Sequence, residues 1–285
     1  MNRALAALLF GATCIALSPI FVRLSEAGPT ATAFWRVALA VPVLWIFFFL
    51  KSKDKTARYA GRWPLLFAAG VAFAGDLGLW HLSIQYTSVA NSTLLANLAS
   101  IFVTLGAWVF LRQRPSGLFL AGLGAALAGV ALLVRASAGF SGTGLLGDAL
   151  GVLTAMFYAG YLFAVKGLRD RGEPTLRLMA ATSTLTALLL LPAALASGEQ
   201  FFPVSAHGWL VLLGLALVSH AAGQGLIAYA LAHLPAAFSS VSLLLQPVMA
   251  AFFAWLVLAE ALAPLQFAGA ALVLAGIYLA RRGSI

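Results

Sequence analysis

Ten apolar runs of membrane-spanning length divide the chain, and they restrict its fold more than any other feature. A helix needs about 20 mostly apolar residues to cross the hydrocarbon core of a bilayer. Runs of that kind lie near residues 4–23, 30–50, 64–86, 88–111, 116–134, 145–166, 175–196, 207–232, 236–258 and 263–281. The connections are short and hold no soluble domain, and the runs are far too long for membrane barrel strands. The sequence therefore predicts an all-α membrane protein with ten transmembrane helices.

The charged residues fit a multi-pass protein of the plasma membrane. Only 9% of the residues are charged, compared with about 25% in soluble domains. In a soluble chain the net charge of +9 would suggest nucleic acid binding. Here the basic residues lie between apolar runs, so we interpret them as topology signals and contacts with membrane lipid, and we expect no nucleic acid partner. The first run is longer than the apolar core of a signal peptide, so we expect it to be retained.

The distribution of Lys and Arg orients the predicted helices. Of the 17 basic residues, all but Arg23, Arg36 and Arg135 fall on one predicted side of the membrane. The segments on that side are Arg3, 51–62, 112–114, 166–177 and 281–282. Because cytoplasmic segments carry the excess of Lys and Arg, both termini are expected in the cytoplasm.

Two parts of the chain repeat each other in a constant register. "SVANSTLLANLASIFVTLGAWVFLRQRPSGLFLAGLGAALAGVALL" (88–133) aligns without a gap with "PAAFSSVSLLLQPVMAAFFAWLVLAEALAPLQFAGAALVLAGIYLA" (235–280). Trp108 meets Trp255 at an offset of 147 residues, and the same offset pairs Gly122 with Gly269. Each half then has five helices, and because five is odd the second half enters from the opposite side. We predict an inverted repeat, 1–138 and 139–285, around a central cavity, as is usual in alternating-access transporters.

These aligned segments resemble the drug/metabolite transporter superfamily, and most closely its EamA-type exporters. The resemblance rests on Pro247 followed by Glu260 before the last helix, and on Arg36 within "AFWRVALA". Ser100 and Gln113 stand where the family often has Pro and Glu, which bears on helix geometry more than on class. The resemblance implies a secondary transporter that exports amino acids, aromatic or otherwise hydrophobic, and related metabolites. Within the superfamily, the aromatic amino acid exporters are the most similar.

One apolar run carries ionisable groups in "VAFAGDLGLWHLS" (71–83). Asp76 and Trp80 share a helix face, whereas His81 lies about 140° around the helix from Asp76. A charged group near mid-membrane costs a few kcal/mol, so it normally faces the bundle interior or a watery cavity. Asp76 can avoid that cost by binding a proton, because burial disfavours the charged form. We therefore predict a coupling role for Asp76 and substrate contacts for Trp80 and His81.

Polar and aromatic groups in the other runs complete the predicted site. The further candidates for substrate binding are Asn97, Tyr158, Tyr161, His220, Gln224 and Gln246. Aromatic rings suit planar or apolar parts of a ligand, while packing between helices is the alternative role for such polar groups. Pro19 and Pro247 follow polar neighbours that can compensate for freed carbonyls, so we predict hinges there. Pro42 and Pro192 are interpreted as packing kinks.

Other classes of function are less consistent with these features. An intramembrane protease would need a catalytic pair or a metal motif such as HExxH, and Asp148 is the only plausible second aspartate. We expect no enzymatic activity, no cofactor and no metal. A channel would need rings of repeated polar or charged groups, whereas the polar groups here differ between the two halves. Two alternatives within the same superfamily stay open. One is a nucleotide-sugar or sugar-phosphate carrier that binds its substrate through Arg36, and the other is a cationic drug exporter. The expected partner is a small-molecule substrate, and the expected state is a monomer or weak dimer.

Overall fold

A computed structural model describes residues 2–51, 62–87, 89–137, 144–259 and 262–284, and this part of the chain forms ten apolar helical spans. They are α1 (Arg3–Leu24), α2 (Pro29–Lys51), α3 (Trp63–Tyr86), α4 (Ser92–Leu111), α5 (Gly117–Val134), α6 (Leu145–Asp170), α7 (Thr175–Ala196), α8 (Ala206–Leu231), α9 (Ala236–Leu258) and α10 (Pro264–Gly283). The predicted all-α fold with ten spans is confirmed. All ten predicted runs coincide with these helices to within a few residues.

Prolines interrupt three of the spans. The paired helical segments are Asn2–Ile15 and Ser18–Leu24 in α1, Pro29–Ala38 and Ala40–Lys51 in α2, and Ala236–Ser242 and Leu245–Leu258 in α9. Proline lacks an N–H, and its ring clashes with the carbonyl four residues earlier. Pro19, Pro42 and Pro247 each lie about one turn after such a break. Pro42 therefore ends a helical segment, whereas Pro192 lies inside a continuous α7. Hinge motion at Pro19 and Pro247 stays a prediction.

α4 is broken without a proline. Its segments Val89–Asn97 and Ala99–Leu111 meet at Leu98. The Ser100 hydroxyl donates to the Asn97 carbonyl at 3.0 Å, and the Asn97 amide donates to the Thr93 carbonyl at 2.7 Å. Side chains of this kind compete with the helix for its own backbone groups. Serine at position 100 therefore accompanies a break similar to the one that Pro247 produces in α9.

The middle of α8 is a π-helix, Leu215–Gln224, between α-helical segments Ala206–Gly214 and Gly225–Leu231. A π-helix bonds i to i+5, is rare, and often occurs at functional sites. The Ser219 hydroxyl donates to the Cys14 carbonyl of α1 at 3.0 Å. On the next residue, His220 Nε2 lies 2.7 Å from the Ser183 hydroxyl of α7. These contacts fix the π-helical segment against α1 and α7.

α5 and α10 cross with their backbones in contact. A Cβ atom on Gly122 would lie 2.7 Å from the Gly276 carbonyl oxygen, and one on Gly129 would lie 2.6 Å from that of Gly269. Glycine allows such close approach of membrane helices. Because the residue numbers rise along one helix as they fall along the other, the two helices run antiparallel.

The α7–α8 connection is tied to the start of α2 and the end of α3. The Glu199 carboxylate accepts hydrogen bonds from the Thr30 backbone N–H and the Gln85 amide, both at 2.8 Å. Glu26, between α1 and α2, accepts bonds from the backbone N–H and the hydroxyl of Ser205. Hydrogen bonding by Ser205 holds the pKa of Glu26 below its usual value. Two carboxylates thus fasten this connection to the first half of the chain.

Two helix ends share a backbone conformation. α4 ends at Arg112 and α9 ends at Ala259, and both residues have φ of 55°. This is the left-handed region, which residues other than glycine seldom adopt. The two positions have the 147-residue offset of the predicted repeat. The predicted boundary at 138/139 and Glu260 both lie outside the described residues.

Candidate functional site

A cavity of about 130 Å³ lies among the broken helices. A volume of that size has room for several waters or a small solute. The residues around it are Ile15, Ala16, Ser18, Pro19, Arg36, Asp76, Leu77, Trp80, Thr93, Ala96, Asn97, Ala99, Ser100, Tyr158, Leu162, Gln224, Ser240, Leu243, Leu244, Gln246, Pro247 and Ala250. The breaks of α1, α4 and α9 border the cavity directly, so irregular backbone occurs where membrane proteins tolerate it.

Eight of the residues selected from the sequence line this cavity. α3 and α4 contribute Asp76, Trp80 and Asn97. The others are Tyr158, Gln224 and Gln246 on α6, α8 and α9, together with the two predicted hinges, Pro19 and Pro247. Contact of these side chains with a substrate stays a prediction.

Two opposite charges, Arg36 on α2 and Asp76 on α3, lie on the cavity wall. Arg36 is only 4% exposed, and its Nε atom has no hydrogen-bond partner among the residues that the structure describes. The two groups interact electrostatically, but in the described part of the chain no direct ion pair joins them. Both groups can therefore pair with a solute that carries one negative and one positive charge.

Both halves of the chain contribute neutral hydrogen-bonding groups to the wall, and those of the second half include Tyr158, Gln224 and Gln246. The Tyr158 hydroxyl lies within interaction range of the Gln224 and Gln246 amides. Neither amide reaches it with hydrogen-bonding geometry, and among the described residues the buried hydroxyl and the buried Gln224 carbonyl oxygen have no hydrogen-bond partner. A buried polar group without a partner costs about 1–3 kcal/mol. The Tyr158 hydroxyl and the Gln224 carbonyl oxygen can therefore form hydrogen bonds with a solute inside the cavity.

Three predicted substrate-binding residues lie outside the cavity wall. His81 is 0% exposed, and its Nδ1 lies 2.8 Å from the carbonyl of Leu77 on the same helix. Tyr161 is 1% exposed, and its hydroxyl contacts the Met179 sulfur at 3.9 Å. His220 is 1% exposed and contacts Ser183. Each is packed between helices, and its contact with a substrate stays a prediction.

Tyr161 and His220 nevertheless support the wall through ring contacts. The rings of Tyr158 and Tyr161 stack at 6.1 Å, and Tyr161 stacks on Phe73 at 4.5 Å. Phe73 stacks in turn on His220 at 5.3 Å. This column of four rings extends from the cavity into the core and restricts the orientation of Tyr158.

Sequence reasoning noted Arg36 but did not select it as a substrate-binding residue. It also did not select Ser18 or most wall positions of α4 and α9, from which it chose Asn97, Gln246 and Pro247. The offset of 147 residues pairs five wall positions of α4 with five of α9: Thr93 with Ser240, Ala96 with Leu243, Asn97 with Leu244, Ala99 with Gln246, and Ser100 with Pro247. The repeat register was therefore the signal that could have found most of this wall. Within the described ranges, no group of three His, Cys, Asp or Glu could hold a metal ion.

Ten apolar spans around a charged and polar cavity define a multi-pass membrane transporter. The model of the EamA-like transporter family matches residues 2–135 and again residues 145–282. The chain therefore belongs to the EamA-like transporter family. It is an integral protein of the plasma membrane, and the names of the family and of its relatives indicate a transporter and not an enzyme.

Curated relatives match over most of this chain. An uncharacterised transporter of Archaeoglobus fulgidus is 30% identical over 273 residues, which is 91% of each chain. A probable terminal-alkyne amino-acid exporter of Streptantibioticus cattleyicolor is 34% identical and covers 70% of this chain and 66% of its own. A probable amino-acid metabolite efflux pump of Salmonella typhimurium is 29% identical over 75% of each chain.

One solved crystal structure has the same fold. It matches with a TM-score of 0.86 and 16% sequence identity, and the match covers 99% of this chain and 98% of that one. At this identity the likeness establishes the architecture alone.

Proposed function

We propose that this transporter exports amino acids and related metabolites across the plasma membrane. The observation that carries the proposal is the placement of Arg36 and Asp76 on one cavity wall without a direct ion pair between them. An α-amino acid carries a carboxylate that matches a guanidinium, and an ammonium that matches a carboxylate. The names of two relatives, an amino-acid exporter and an amino-acid metabolite efflux pump, agree with this substrate class.

Aromatic amino acids are the finer part of this proposal. Trp80 and Tyr158 supply ring faces to the cavity, and such faces suit planar or apolar groups of a ligand. The sequence resemblance to the aromatic amino acid exporter YddG points the same way.

We further propose that transport proceeds by alternating access between two inverted halves, with both termini in the cytoplasm. The support is positional. Wall residues of α4 and α9 pair at the repeat offset, and so do the left-handed helix ends at Arg112 and Ala259. The family model also matches two successive segments of similar length. A site between inverted halves is reachable from one side at a time when the halves rock against each other.

Asp76 is proposed as the coupling group. It lies within the membrane-spanning part of α3 and faces the cavity, where a carboxylate can exchange a proton or bind a substrate cation. Its partner charge, Arg36, comes from the neighbouring helix α2. Proton release by Asp76 would then change the charge that the substrate ammonium meets.

Counterflow in proteoliposomes tests the function directly. Purified protein is reconstituted into vesicles preloaded with one unlabelled compound, and uptake of a labelled compound is followed. The panel contains amino acids, nucleotide sugars and cationic drugs. Saturable counterflow of amino acids is the expected result. Exchange of nucleotide sugars alone, or of cationic drugs alone, would contradict amino acid transport and would identify that compound class as the substrate.

Variants then test the residues. Asp76→Asn should lower transport and alter its pH dependence without preventing membrane insertion, while Trp80→Ala should weaken the apparent affinity for aromatic amino acids. The control is Tyr229→Phe, because Tyr229 is 38% exposed and lies away from the cavity wall. A wild-type pH profile in Asp76→Asn would remove Asp76 from coupling.

A further inference from the structure

We infer that Tyr158, Gln224 and Gln246 form a side-chain subsite that selects substrates whose side chain ends in a hydrogen-bonding group. The inference rests on the proposed transport of amino acids and adds a preference within that class. Amino acids that share a shape but differ in one hydroxyl or amide should be separated by these three residues, which are called the amide–phenol group below.

The position of the group relative to the wall charges is the first argument. Both charged wall residues, Arg36 and Asp76, belong to α2 and α3. The amide–phenol group lines the same cavity, belongs to α6, α8 and α9, and is neutral. In this proposal, a zwitterionic substrate whose head group binds the charges extends its side chain toward the amide–phenol group. Tyr158 is within electrostatic range of Asp76 and Arg36.

The unmet hydrogen bonds of this group are the second argument. In the part of the chain that the structure describes, the Tyr158 hydroxyl and the Gln224 Oε1 atom are both buried without a hydrogen-bond partner. Gln224 Oε1 is an acceptor only, while the phenol both donates and accepts. A substrate hydroxyl or amide can satisfy both, whereas a methyl group in the same place displaces water and leaves them unpaired. The apolar analogue therefore loses affinity.

The rigidity of the group is the third argument. Gln224 is the last residue of the π-helix, whose Ser219 and His220 are bonded to α1 and α7. Tyr158 is held by stacking on Tyr161 at 6.1 Å. Specificity for a hydroxyl or an amide needs polar groups that cannot turn away to find other partners. The support behind both residues provides that condition.

Competition between amino acids of equal shape tests the inference. Counterflow of labelled threonine is competed with unlabelled valine, and counterflow of asparagine with leucine; tyrosine against phenylalanine extends the series to rings. Wild-type protein should prefer the hydrogen-bonding member of each pair by about tenfold, the effect of one or two buried polar groups left unpaired.

Two substitutions of nearly equal shape, Gln224→Met and Tyr158→Phe, should each reduce this preference to about twofold or less. Matched controls are Gln113→Met and Tyr229→Phe, because both residues are exposed and lie outside the cavity wall. The controls should keep the wild-type preference. A monodisperse size-exclusion profile in detergent establishes that each variant is folded.

The outcomes separate this inference from the function on which it rests. Absence of saturable counterflow for every amino acid would overturn the proposed function. Saturable counterflow with equal affinity for threonine and valine, or an unchanged preference in both variants, would overturn the subsite while leaving amino acid transport in place.

Discussion

The Glu173 carboxylate is 0% exposed and lies between the ends of α3, α6 and α7. It accepts a hydrogen bond from Arg62 at 2.7 Å and pairs with Arg177 at 3.4 Å. The Glu173 backbone carbonyl also accepts a bond from Arg169. Replacing Glu173 by Gln removes the carboxylate charge that pairs with Arg62 and Arg177 and keeps the shape of the side chain. We expect the substitution to destabilise the protein strongly.

The magnitude follows from the burial of the partners. Removing one member of a buried ion pair costs about 3–5 kcal/mol, because the remaining charge stays desolvated. The Arg177 side chain is 7% exposed and stays largely shielded from water in the variant, whereas that of Arg62 is 31% exposed and recovers some hydration. Glutamine also retains an acceptor for Arg62. The lower end of the range, about 3 kcal/mol, is therefore expected.

A nearby exposed ion pair supplies the control. Lys166 and Asp170 pair at 2.6 Å one turn apart on α6, and the Asp170 side chain is 50% exposed. Asp170→Asn should cost only about 0.3–0.5 kcal/mol. Reversible unfolding in mixed detergent micelles, followed by tryptophan fluorescence, measures both variants under one condition. Equal losses of stability in the two variants would refute the argument from burial.

Three further outcomes are expected from the same stability assay. Gly122→Ala should lower the free energy of unfolding by about 1–3 kcal/mol, because a Cβ there would lie 2.4 Å from the α10 backbone. Its control is Gly124→Ala, which places a Cβ in open space and should be neutral or stabilising. Ser100→Pro should cost about 1 kcal/mol or less because position 100 lies in the first turn after the α4 break, while Val103→Pro should cost about 3 kcal/mol. The lowered pKa of Glu26 means that its stabilising contribution is present above the usual glutamate pKa and is lost as pH falls through the folded value. Glu26→Gln should therefore flatten the decline of melting temperature between neutral and acidic pH; an equal decline in wild type and variant would contradict this.

The length of the apolar runs was sufficient to predict the ten spans. The helical spacing of polar residues was sufficient to predict that Asp76, Trp80 and Asn97 face the interior of the bundle. Spacing gives the direction of a side chain but not the neighbour that covers it. Tyr161 lies on the same face of α6 as Tyr158, one turn farther along the helix. Its hydroxyl is nevertheless covered by Met179. His81, which spacing puts about 140° around α3 from Asp76, is not among the residues that line the cavity.

His220 and Gln224 are four residues apart, a spacing that keeps two side chains on one face of an α-helix. The structure places Gln224 on the cavity wall and His220 against Ser183 of α7. The difference lies in the neighbour that each side chain meets, which spacing does not give. Both residues belong to the π-helix Leu215–Gln224, which the hydrophobic pattern of the sequence did not predict.

The glycine crossing of α5 and α10 has a mechanical consequence. Neither helix is among those that line the cavity. The atoms nearest to a Cβ on Gly122 would be main-chain atoms of α10, and a Cβ on Gly129 would meet α10 main-chain atoms and the Val273 side chain. Sliding or separation there would open a gap along a row of main-chain contacts. We therefore expect this pair to stay fixed during transport. Spin labels on its two members should keep one distance through the turnover cycle while distances across the broken helices change.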